Sequence, residues 1–177
     1  DDVFVRDLKT GATERVSVAS DGTQGNAASR IVQLSADGRN VAFQSEASNL
    51  VAGDGNGGAD VFAHDRKTGV TSRISVASDG GEANGPSTLS FFGGSTGANV
   101  RLIAFSSAAS NLVAGDANGF DDVFVRDRKS GTTTRVSVTS DGTEANGPSA
   151  EAALSDNGRY VAFVSAATNL VDADGNG

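Results

Sequence analysis

Asp2-Val-Phe-Val-Arg-Asp7 is the stretch that decides the reading, because it returns as Asp60-Val-Phe-Ala-His-Asp65 and again as Asp122-Val-Phe-Val-Arg-Asp127. The spacings are 58 and 62 residues. Self-similarity at a nearly fixed period is the mark of a repeat architecture. Within the stretch, Val3 and Val5 face one way and Phe4 and Arg6 the other, the period of a β-strand. Each copy runs on through a Lys-Thr/Ser-Gly turn, with Gly at the left-handed position. A β-branched run follows (13–18, 71–76, 133–138), then Ser-Asp-Gly at Ser20, Ser78 and Ser140. A further run reaches Val41-Ala-Phe43, Ile103-Ala-Phe105 and Val161-Ala-Phe163. The copy closes on Asn-Leu-Val (Asn49, Asn111, Asn169) and an Asp-rich loop. Gly and Asp interrupt every window in which an amphipathic helix could form.

Four short strands per copy predict an all-β chain of four-stranded β-propeller blades. The repeat units are 1–58, 59–120 and 121–177 of a single segment, 1–177. One blade cannot bury both faces of its sheet alone, so the blades must stack. Copy two carries Phe91–Ala98 in place of the turn Ser35-Ala-Asp-Gly-Arg39, which copy three keeps as Ser155-Asp-Asn-Gly-Arg159. An insertion confined to one turn suits a surface hairpin loop.

Ser35-Ala-Asp-Gly-Arg-Asn-Val-Ala-Phe43, the Asn-Leu-Val loop with its Asp-x-Asn-Gly, and Asp-Val-Phe-Val-Arg-Asp together resemble the bacterial TolB-like, WD-repeat-like β-propeller repeats. The resemblance extends over all three copies. It implies a blade order in which Ser35–Arg39 turns between the first and second strands. Asn49–Ala59 then leads to the third strand, Asp60–Asp65, and the Arg-Val-Ser-Val run is the fourth. It implies three blade equivalents, two complete and one split between the termini. It does not imply a function, because such repeats occur in binding scaffolds, surface proteins and the propeller domains of hydrolases.

The net charge is −8, and only five of the 22 acids are Glu. Asp prefers turns and oxygen-ligand loops. An acidic surface repels nucleic acid and anionic membrane, which argues against both as partners. There is no Cys, which excludes disulfides and thiolate metal sites, and no Met or signal peptide, as in a processed or excised piece.

The loop before each third strand carries the chemistry. It reads Asp54-Gly-Asn-Gly-Gly-Ala-Asp60, then Asp116-Ala-Asn-Gly-Phe-Asp-Asp122, with Asp172-Ala-Asp-Gly-Asn-Gly177 in copy three. Carboxylate and amide oxygens at i, i+2 and i+6, bent by Gly, suit calcium, which takes six to eight hard oxygens in a flexible loop. The expected sites are Asp54, Asn56 and Asp60; Asp116, Asn118 and Asp122; and Asp174 and Asn176 completed by Asp2. Asx-turn chemistry alone would also account for a single such loop. The Ser-Asp-Gly elements read as structural turns.

Catalysis finds little support. The single His, His64, stands where the other copies have Arg6 and Arg126, which suits a solvated or inter-blade polar group. No Ser lies in Gly-x-Ser-x-Gly. The expected function is a calcium-binding module with a structural or protein/ligand-binding role, not an enzyme, in the extracellular space or periplasm. The alternative is the propeller portion of a secreted hydrolase whose active site lies elsewhere. Half-blades invite pairing. The expected partner is a second copy, in a homodimer closing a six-bladed ring, or further blades of a longer parent chain.

Overall fold

A computed structural model describes residues 1–90, 101–172 and 174. The substituted turn Phe91–Ala98 and the proposed ligand Asn176 lie outside the described residues. The described residues form no helix, only antiparallel sheets. β1 (Phe4–Arg6) pairs with β2 (Thr13–Arg15). Strands β3 (Ser29–Leu34), β4 (Asn40–Ser45), β5 (Asp60–Asp65) and β6 (Val70–Arg73) make a four-stranded meander in chain order. β7 (Ser87–Leu89), β8 (Leu102–Ser107), β9 (Asp122–Asp127) and β10 (Thr132–Arg135) make another. β11 (Ser149–Leu154) pairs with β12 (Val161–Ser165).

The Val-Ala-Phe alternation explains how the sheets stack. In β4 and β8 the aromatic and the alanine point to opposite faces. Phe43 sits directly opposite Phe62 of β5, and Phe105 opposite Phe124 of β9, with ring centroids 5.9 and 5.7 Å apart. All four rings are fully buried. Phe105 and Phe124 pack into a core with Ala42 and Ala63 of the preceding sheet, while Phe43 and Phe62 pack with Val3 and Val16 beside β1 and β2. Each sheet thus offers large side chains to the sheet before it and small ones to the sheet after it. Large against small is how two pleated faces interdigitate without voids.

The order of strands one to three agrees with the sequence reading, but the fourth strand is shorter than expected. It ends at the arginine (Arg15, Arg73, Arg135) and does not include the Val-Ser-Val that follows. The reason is local. The amides of Ile74 and Ser75 both turn onto the single carbonyl of Val61, while the Ser75 hydroxyl accepts from the Val61 N–H. Val76 then makes one isolated bridge to Glu82. The run therefore leaves the sheet and begins the crossing to the next one.

The Ser-Asp-Gly turns join neighbouring sheets. Ser20 Oγ accepts from Thr71 N (3.0 Å), and Thr71 Oγ1 donates to Val18 O (2.6 Å). Ser78 and Val76 do the same for Thr133. His64 is buried rather than solvated. Its Nδ1 lies 2.8 Å from Thr71 Oγ1, whose own proton goes to Val18 O, so the ring nitrogen donates. Burial holds the His64 pKa below its usual value.

Candidate functional site

The loops flagged by the sequence sit where two consecutive sheets meet. In Asp54–Asp60 the chain bends at Gly57, whose φ of 69° is left-handed; Gly119 (71°) does this in the second loop. The bend lets Asn56 Oδ1 accept from Gly58 N at 2.8 Å, an Asx-turn. The amide nitrogen of Asn56 then donates to Asp60 Oδ2 (3.0 Å) and Ala83 O (2.9 Å). Asn118 repeats this with Phe120 N, Asp122 Oδ2 and Ala145 O. In this arrangement each Asn braces the loop and turns a donor toward the carboxylate.

Asp60 and Asp122, at the heads of β5 and β9, are fully buried. Asp60 Oδ1 accepts from Ser75 Oγ at 2.5 Å, as Asp122 does from Ser137. The structure brings Asp54 to the same point and adds a residue that the loop pattern did not contain. Asp54, Asp60 and Glu82 present oxygens within 4.8 Å of one another, and so do Asp116, Asp122 and Glu144.

A guanidinium stands among each set. Arg73 Nη1 lies 2.5 Å from Glu82 Oε1, 3.5 Å from Asp60 Oδ2 and 3.6 Å from Asp54 Oδ1. Arg135 Nη1 contacts Glu144 Oε1 and lies 3.3 Å from both Asp122 Oδ2 and Asp116 Oδ1. Three carboxylates surround one cation, so negative charge is in excess. Burial, together with the neighbouring acids, outweighs Arg135 and pushes the Asp116 pKa up to about 6; Asp54 is raised in the same way. Burial opposes the charge on Glu82 and Glu144 too. There the amide N–H groups of Gly55 and Ala117, with the arginines, win and hold both carboxyls below their usual value. Asp116 Oδ2 is buried with no hydrogen-bond donor.

The third set is only partly described. Asp2 accepts from Ser17 Oγ (2.8 Å) and pairs with Arg15 at 3.4 Å, which copies the other clusters. Gln24 stands at the position of Glu82 and Glu144 and donates to Asp2. Asp174 is half-buried.

Loop spacing missed Arg73, Arg135, Glu82 and Glu144. They lie up to 28 residues beyond the first Asp of their loops. Their only signal was repetition, as Arg-Ile/Val-Ser-Val and as Glu-Ala-Asn-Gly-Pro (82–86, 144–148). Elsewhere, a shallow hollow of about 490 Å³ lies between Asp21 and the Asn49-Leu50-Val51 loop, and it recurs beside Asp79 and Asp141.

No protein-family model matches the chain, and no curated protein matches its sequence. Among solved structures it is similar to a prolyl endopeptidase, at 14% identity and a TM-score of 0.52 over 93% of this chain. This chain spans 22% of that protein's length. A protein assigned as TolB from Agrobacterium tumefaciens aligns at 16% identity and a TM-score of 0.45, covering 88% of this chain and 43% of that one. Tricorn protease aligns at 11% identity and a TM-score of 0.32, covering 97% and 20%. The first likeness shows the fold and nothing further. With the repeated four-stranded meanders, it makes the chain an all-β, propeller-like array. No helix of the described residues is long and apolar enough to cross a membrane.

Proposed function

We propose that the chain is a β-propeller segment of three blade equivalents, acting as a structural or binding module whose loop clusters take calcium. β3–β6 and β7–β10 are the complete blades; β11–β12 and β1–β2 are the halves of a third. The observation that supports calcium is the charge excess of the clusters, with Asp116 Oδ2 buried and without a donor. Asp54, Asp60 and Glu82, and Asp116, Asp122 and Glu144, are the residues that would hold the ion. The arginines are the competing cations, so affinity is modest. Modest calcium sites fill outside the cytoplasm, where calcium is abundant, and extracellular modules work at about 10⁻⁴–10⁻³ M. The hollows beside Asp21, Asp79 and Asp141 are the proposed face for a ligand. The chain itself is proposed to catalyse nothing, and the reading of a hydrolase propeller is kept for the case in which a substrate screen finds turnover.

The test is a calcium titration of the metal-free protein by calorimetry, with melting followed in parallel. Saturable heat and a melting temperature that chelator lowers and calcium restores are expected. An ion present at a hundred times its Kd adds about 2.7 kcal/mol to stability. Glu144→Gln should weaken binding. A melting curve indifferent to chelator and calcium would end the calcium reading.

A further inference from the structure

The structure assigns Asn157 as a site of spontaneous chemical modification, where the side-chain amide is lost to the backbone nitrogen of Gly158 and the residue becomes aspartate or isoaspartate. The inference is independent of calcium and of how the sheets close. In an Asn-Gly pair the next backbone nitrogen reaches the side-chain carbonyl carbon with least hindrance, because glycine carries no Cβ. The described residues hold five such pairs, at Asn56, Asn84, Asn118, Asn146 and Asn157.

Four of them are held shut by contacts to other parts of the chain. The amides of Asn56 and Asn118 are fixed at both atoms, by a loop N–H on one side and by the buried carboxylate and a carbonyl of the crossing on the other. Asn84 Oδ1 accepts from Ser110 N at 2.9 Å, and its Nδ2 donates to Ser110 Oγ at 3.0 Å. Asn146 does the same with Thr168, at 2.8 and 3.0 Å. Their glycines are crowded as well. A Cβ at Gly85 would lie 3.1 Å from the Ala108 carbonyl carbon, and one at Gly147 2.9 Å from the Ala166 oxygen. An imide ring closing onto either nitrogen would have to push that backbone aside.

Asn157 differs on each count. It is exposed at the tip of the hairpin between β11 and β12. Its Oδ1 accepts from Ser155 Oγ (2.8 Å) and Arg159 N (3.0 Å), both within the same turn, and its Nδ2 has no partner among the described residues. The one restraint on the attacking group is the bond from Gly158 N to Ser155 O, at 2.8 Å. That bond closes a turn whose Asp156, Arg159 and Tyr160 are also exposed, so it opens without disturbing any core. Gly158 N, having lost its proton, then bonds to Asn157 Cγ; the Cγ–Nδ2 bond breaks and ammonia leaves with that proton. Water opens the resulting imide at Cγ to give aspartate, or at the backbone carbonyl carbon to give isoaspartate.

The two products differ in consequence. Copy one has Asp37 at this position, with the same bonds from Ser35 Oγ and Arg39 N, and those bonds hold its carboxyl below the usual pKa. Aspartate at 157 therefore keeps the turn and adds a charge. Isoaspartate routes the main chain through the side-chain carbon and lengthens it beside Gly158, where even an added Cβ would run into Leu102 of β8. The second product thus strains the contact between the third sheet and the second.

The test is peptide mapping of the full chain after incubation in neutral and mildly alkaline buffer. Trypsin releases 136–159, which carries Asn146 and Asn157 together, so one peptide compares both. Replacement of NH2 by OH is expected at Asn157, faster at the higher pH and in two peptides of equal mass. It should run about tenfold or more faster than at Asn146, whose two extra side-chain bonds must break first. In urea the two rates should converge. Asn157→Asp should melt like the starting protein; a lower melting temperature would overturn the claim that aspartate keeps the turn. Equal rates at Asn146 and Asn157 in the folded chain would overturn the assignment, as would an Asn157 that stays intact when folded and reacts only in urea.

Discussion

Replacing Arg135 by Met tests the cluster most directly. The methionine keeps much of the arginine's apolar stem and removes the charge. Three carboxylates whose oxygens lie within 4.8 Å then have no cation among them. Asp122 is fully buried and the Asp116 side chain is 4% exposed, so neither can be solvated in place. Removing one partner of a buried ion pair costs roughly 3–5 kcal/mol, because the charge left behind stays out of water. Glu144 keeps some contact with solvent, at 22% side-chain exposure, which favours the lower end. A chain of this length shifts its melting temperature by about 2–4 °C per kcal/mol, so a loss of about 6–12 °C is expected at neutral pH in chelator. Circular dichroism melts give the number. Adding Asp116→Asn and Glu144→Gln to the same protein should recover most of the loss, since the repelling charges go with the arginine. If calcium occupies the cluster, it should also shrink the deficit of Arg135→Met. A change of less than about 2 °C would refute the view that this guanidinium holds the carboxylates together.

Asp116 also predicts a pH dependence. Its folded pKa is raised, so its contribution favours the fold below the usual value of 3.8 and is lost as pH rises through about 6. Asp116→Asn should remove that slope, seen as the difference between two melting series from acid to neutral pH. Ser75→Ala takes a donor from Asp60 and an acceptor from the buried Val61 N–H, and should cost about 1–3 kcal/mol by urea unfolding. Phe105→Ala empties a fully buried site and should cost about 3–5 kcal/mol, whereas Phe163→Ala, in a half-buried ring, should cost the isolated chain clearly less. Equal losses for the two would contradict the packing described here.

Repetition in the chain was enough to establish that it is all-β, with four strands to each unit. Period-two alternation and Gly-bearing turns are local properties, and three copies averaged out the accidents of any one. The short turns at Ser35 and Ser155 followed from the same signals, whereas the strand order was what the resemblance to propeller repeats implied. The loops of the candidate site were legible too, because Asp-x-Asn-Gly dictates its own bend. What surrounds the carboxylates was not legible. Arg73 and Glu82 reach Asp54 and Asp60 only after β6 has paired with β5 and the crossing to β7 has turned back past the loop. The Asx-turn that the sequence implied is what turns the Asn56 amide toward Asp60, so the predicted oxygen faces away from the cluster. Alternation could not say where β6 ends, because that depends on Ser75 leaving the ladder to cap Asp60. Sequence therefore determined the repeat and its local turns, which need only neighbouring residues. The charge balance of the site was decided by tertiary structure alone, because burial and the approach of distant side chains set it.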